Sequence, residues 1–201
     1  MGEEHLLIDR QLPEHDVAIA EHLIVGADPL TTWTATCELD LLTVHTPLMD
    51  AAMLARRVPG LVTRTEAPAP PELSLAAGMQ LPGWILFGER PGQEIAFGAV
   101  GKFWQSNIEW RDVAVDEFRD FDDPGWGKIA VAFVTTPYGE HRTILTYDCR
   151  TATTDPESRR KFAKYWWLVR PFVAHIMRAT LRAAGADAEL RRAHAPEVKA
   201  G

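Results

Sequence analysis

Residues 154–185 read TDPESRRKFAKYWWLVRPFVAHIMRATLRAAG, and this stretch decides the fold. Thr154-Asp155-Pro156-Glu157 is a helix start, with a cap residue, a first-turn proline and a glutamate three residues after Thr154, as in a capping box. From there Phe162, Trp166, Val169, Val173, Ile176 and Thr180 recur at spacings of three and four, and Tyr165, Leu168, Phe172 and Leu181 widen the stripe. A helix with so wide an apolar face must pack on something large. Pro171 stands mid-helix, where it removes a backbone donor and is expected to kink the axis. Gly185 is expected to end the helix, after Arg178 and Arg182, whose charges suit a C-terminal dipole.

The surface for that helix lies upstream. Residues 15–25 alternate through Val17, Ile19, Glu21, Leu23 and Val25, which predicts a strand. Asp28-Pro29 opens a first short helix carrying Leu30, Trp33, Thr34 and Cys37, and Thr46-Pro47 opens a second that Pro59-Gly60 stop. Residues 63–83 hold four prolines and two glycines and read as a long connection, either a lid or a stiffened surface loop. Residues 84–90 and 94–104 form a hairpin across Pro91-Gly92. Residues 108–115 alternate again, and 116–121 extend that strand or turn. Residues 128–136 and 141–151 form a second hairpin leading into the capped helix. Strands in series followed by a helix imply α+β architecture, with helices on one side of an antiparallel sheet. The ends, 1–14 and 185–201, are expected to be flexible around one domain over 15–184.

Composition narrows the function. A net charge of −7 argues against nucleic acid or an anionic membrane as the main partner, because both need a basic face. Arg159, Arg160, Lys161 and Lys164 make one local basic patch, read as solvent-facing on the helix. No stretch approaches a membrane span, no secretory signal is evident, and Cys37 and Cys149 have no metal or redox spacing. A cytoplasmic protein with two thiols, no metal and no cofactor is expected.

The order of strand, two short helices, antiparallel strands and long C-terminal helix resembles the helix-grip fold of the START-like superfamily (SRPBCC), which includes polyketide cyclase/dehydratase-like proteins. The stretches that carry the resemblance are WILFGERPGQEIAFGAVGKFW at 84–104, GWGKIAVAF at 125–133, and 143–151 running into Phe162 and Tyr165-Trp166. They look like a bacterial branch of that superfamily. The resemblance implies a curved sheet wrapped around the C-terminal helix with a cavity between them. It also implies a hydrophobic ligand, lipid-, polyketide- or aromatic-like, and in some members cyclisation or dehydration. Lining residues implied by this arrangement are Trp33, Phe87, Phe97, Phe103, Phe133, Tyr147, Tyr165, Val169 and Phe172.

The residues themselves carry no catalytic signature: no GxSxG, HExxH, P-loop or GxGxxG run is present. Tyr147 alternates with Leu145 and Cys149. If that face points inward, Tyr147 offers a hydroxyl to a ligand. In the opposite register, Asp148 and Arg150 become an interior acid–base pair, which the cost of burying charge disfavours. His175 reads first as a solvent-edge histidine and, more sharply, as a base beside the cavity; Tyr147 and His175 are then the catalytic candidates of an enzyme. Glu89 and Glu94 flank the Pro91-Gly92 turn and read as solvated hairpin charges. Three readings stay open: an apolar binding module, a cyclase/dehydratase-type enzyme, and a solid domain acting through its surface, for example as a homodimer.

Overall fold

A computed structural model describes residues 5–39, 83–105 and 107–194. The elements in chain order are α1 (Leu7–Gln11), β1 (Val17–Val25), α2 (Pro29–Glu38), β2 (Trp84–Arg90), β3 (Glu94–Gly101), β4 (Trp110–Arg111), β5 (Gly127–Pro137), β6 (Thr143–Thr153) and α3 (Pro156–His194). The six strands form one antiparallel sheet in the order β1-β6-β5-β3-β2, with β4 beside β3. The fold is therefore α+β, as expected. The second short helix and residues 63–82 of the proline-rich connection lie outside the described residues.

Strand register assigns the faces. Leu145, Tyr147 and Cys149 of β6 pair with Thr135, Phe133 and Val131 of β5 and with Leu23, Glu21 and Ile19 of β1. Phe133 and Val131 pair in turn with Ile95 and Phe97 of β3. These residues share the inner face, on which α2 and α3 pack. Asp148 and Arg150 point to the other side, which settles the register question in favour of the inward tyrosine.

The outer face is covered too, so helices are not confined to one side. Ala96, Gly98, Val100, Ala130 and Ala132 leave a low surface there. Ile8 and Leu12 of α1 and Phe118 and Trp126 of the following loops settle onto it. Every residue of β3 is buried because both of its faces are covered. α1 thus occupies a region expected to be flexible. It is tied down by Glu94, whose Oε2 accepts the Leu7 amide at 2.9 Å and whose Oε1 is ion-paired with Arg90 at 3.0 Å. Glu94 is accordingly buried rather than a solvated hairpin charge. Arg150 bridges Asp148 and Asp9, at 2.9 and 2.7 Å, and fastens α1 a second time.

α3 differs from its expected form at both ends. Its cap is Asp155, which accepts the Ser158 amide at 2.9 Å, the Ser158 hydroxyl at 2.6 Å and the Gly125 amide at 2.7 Å. These bonds hold its carboxyl well below the usual range. Thr154 instead bonds Trp126, and Glu157 pairs with Lys161, so no capping box forms. The helix continues through Pro171 and past Gly185 to His194. Gly185 is a packing residue: a Cβ there would stand 2.8 Å from Leu23 Cδ2. Two strands also end early or shrink. β3 stops at Gly101, and only Trp110–Arg111 pairs within the stretch 108–115.

Candidate functional site

Tyr147 stands near the middle of the inner face. Its ring packs on Phe133 with centroids 4.3 Å apart. Trp33 and Cys37 of α2, Val173 and Met177 of α3, and Phe97 and Cys149 of the sheet belong to the same cluster. Tyr147 is only half-buried, although the sheet lies behind it and helices lie in front. Burial pushes its phenol well above the usual range, with the Cys149 thiol as a lesser cause, so the hydroxyl remains a donor at neutral pH. That hydroxyl has no hydrogen-bond partner among the described residues. The Trp33 indole nitrogen is also buried without a partner among them.

Glu21 is the neighbour that sequence reading passed over. It lies directly across from Tyr147 on β1, on the same face, and its Oε1 accepts from Arg178 Nη1 at 2.9 Å. A groove of about 410 Å³ between β1 and α3 is lined by Ile19, Glu21, Arg170, Pro171, Ala174 and Arg178. The available signal was the alternation of β1 itself: Glu21 occupies an inward position in an otherwise apolar row. Register pairs Glu21 with Tyr147, and the Glu21 carboxylate is held by Arg178 in that groove.

The other expected lining residues divide. Trp33, Phe97, Phe133 and Tyr147 come together in the inner cluster. Phe103 is buried at the end of the sheet, edge-on to Trp110 at 5.9 Å. Tyr165 and Val169 lie half-buried on the first half of α3, with Tyr165 6.1 Å from Phe162 in an aromatic group that includes Trp104 and Trp166. Phe172 is 38% exposed, because it follows the Val173–Met177 stripe one residue out of phase. Phe87 faces the opposite side of the sheet. Leu86 pairs with inward-facing Phe97, so alternation along β2 points Phe87 outward, onto Phe118 at 4.7 Å and over Gly98, where a Cβ would meet the ring at 2.0 Å. His175 is two residues from both Val173 and Met177, so it lies about 160° around the helix from each. The structure does not bring it to Tyr147.

Both cysteines are buried thiols. Burial, with Asp148 adding, pushes Cys149 up to about 12, and burial with Glu89 and Glu38 does the same for Cys37. Neither is a nucleophile at neutral pH. The raised value favours the neutral thiol in the folded state. Its contribution to stability is therefore complete below the ordinary value of 9.0 and is lost as pH rises toward 12. Denaturation midpoints should stay level up to pH 9, then fall by roughly 1.4 kcal/mol per pH unit for each such thiol. Cys149→Ala should make that fall shallower, and an unchanged slope would show that the thiol ionises freely in the folded protein. A separate polar groove of about 500 Å³, lined in part by Asp16, Lys128 and Arg159, lies at the Lys128–Ala152 end of the sheet.

Among the described residues, no cluster fits a metal ion and no helix is long and apolar enough to cross a membrane. No family profile and no curated protein matches the chain. Solved structures do. One is the di-domain aromatase/cyclase StfQ of the steffimycin biosynthetic pathway, at 14% identity and TM-score 0.43, covering 92% of this chain and 55% of that one. The Zhui aromatase/cyclase from a Streptomyces species matches at 14% identity and TM-score 0.32, over 89% and 96% of the two chains. The Mll3558 protein of Rhizobium loti matches at 15% identity and TM-score 0.36, over 85% and 96%. Two of these three solved structures are aromatase/cyclases. Identities and scores this low assign neither a ligand nor a reaction to this chain.

Proposed function

We propose that this domain holds a hydrophobic small molecule, lipid-, polyketide- or aromatic-like, between the inner face of the sheet and α3. The observation that carries this reading is Tyr147: in mid-sheet, flanked by aromatic and aliphatic walls, it keeps accessible surface and a hydroxyl without a partner among the described residues. The hydroxyl stands among apolar side chains with no acceptor among the described residues, so it is available to donate to a ligand.

Native mass spectrometry of freshly purified protein, followed by thermal shifts with lipophilic compounds, tests the reading. Repeated absence of any bound species and of any shift would count decisively against it. Tyr147→Phe should leave the unliganded protein as stable or slightly more stable, since no bond is lost. It should weaken a bound acceptor-bearing ligand about three- to tenfold. Equal affinity would remove Tyr147 from the contact.

A second reading, a cyclase- or dehydratase-type reaction on such a ligand, draws on the Glu21 carboxylate across from Tyr147. Tyr147 would hydrogen-bond a substrate carbonyl while Glu21 takes a proton from the neighbouring carbon. Glu21→Gln should then bind substrate and lose turnover; unchanged turnover ends this reading. His175 takes no part in it.

A further inference from the structure

The charge of this protein is unevenly placed. Residues 158–186 contain seven Lys or Arg and no Asp or Glu, although the whole chain carries −7. One side of α3 in this stretch, including Phe162, Met177, Thr180, Leu181 and Gly185, is buried, and another is exposed. At about 100° per residue, Arg160, Lys164, Trp167, Leu168, Arg178 and Arg182 fall within one arc about 100° wide. Trp167 is 82% exposed and Leu168 62% exposed. Arg160, Lys164 and Arg182 form no ion pair among the described residues, whereas Arg178 is held by Glu21. A tryptophan this bare on a well-formed helix is unusual for a surface that meets only water.

We propose that this face of α3 docks on an anionic lipid surface. The occupant follows from the chemistry. An interfacial helix sets Trp and Leu at headgroup depth and surrounds them with Lys and Arg that reach lipid phosphates. The arc presents that combination on a convex helix surface rather than in a groove shaped for a peptide. Its positive charge is local, so the acidic remainder of the chain turns away from the membrane and orients the domain with α3 toward it. This inference does not depend on the ligand reading above: Arg160, Lys164, Trp167 and Leu168 are exposed and lie off the Val173–Met177 stripe that joins the inner cluster.

The test is co-sedimentation of the full chain with vesicles of phosphatidylcholine alone or with about 30% phosphatidylglycerol. Binding should require the anionic lipid and fall as salt rises from about 50 to about 300 mM. Trp167→Ala should weaken it about tenfold, and Arg160→Gln with Lys164→Gln should do so by more than about tenfold. All these positions are exposed, so circular dichroism should be unchanged in the variants. Equal sedimentation with neutral and anionic vesicles would overturn the proposal, as would binding indifferent to these substitutions. A self-association weakened by Trp167→Ala, or duplex DNA binding lost in the double variant, in the absence of vesicle binding, would overturn it in favour of a second copy or a nucleic acid.

Discussion

Phe118→Ala is expected to destabilise the protein by about 3–5 kcal/mol, the range for removing a fully buried aromatic ring, although residue 118 belongs to no helix or strand. Phe118 is completely buried, packs at a tilt against Phe87 and lies beneath the Lys128 ammonium. Its ring belongs to the outer cluster that covers Ala96, Ala130 and Ala132, with Phe87 over Gly98 beside it. Val115, in the same turn, is 40% exposed and serves as the control. Val115→Ala should change the urea midpoint by less than about 0.5 kcal/mol. Equal, small shifts for both variants would mean that the outer layer adds nothing to the core.

Glu94→Ala is the second large effect, about 2–4 kcal/mol. Removing the carboxylate strands the Leu7 amide and leaves Arg90 beside a buried apolar surface. The loss is placed below the full range for buried ion pairs because the Arg90 side chain keeps 20% of its surface. Glu94→Gln keeps the volume and one acceptor, so it should cost about half as much. Hydrogen exchange separates the local from the global consequence. α1 should exchange faster in Glu94→Ala by more than the global loss explains, since Glu94 is its anchor to β3. Protection of α1 equal to that of the parent protein would show that Arg150 and Asp9 suffice to hold it.

The inner half of this fold was readable because period two survives in β1, β5 and β6. The alternation Leu145, Tyr147, Cys149 placed Tyr147 correctly once burial of Asp148 and Arg150 had been weighed as costly. The outer half was not readable. α1 is five residues long, too short for a helical period, and its anchor comes from a glutamate 87 positions away. Phe87 was misplaced because an aromatic side chain suits either covered face of this sheet, and its position two residues after outward Ile85 puts it on the outer one. Gly185 looked like a helix stop because glycine often is one. Here the need is close approach to Leu23, and tertiary packing outweighs the local preference. His175, read first as a solvent-edge histidine, is two residues from both Val173 and Met177 and so lies off their stripe.

Glu21 has one more consequence. Among the described residues β1 ends the sheet, so the polar backbone groups on its free side invite another extended chain to join. A carboxylate aimed inward from such a strand, held by an arginine of the crossing helix, makes that growth unfavourable. An added strand would have to accommodate a charge where a continuous dry stack needs an apolar side chain. The residue next to the phenol is therefore also a guard against aggregation. Glu21→Val, attractive as a stabilising core substitution, would remove it.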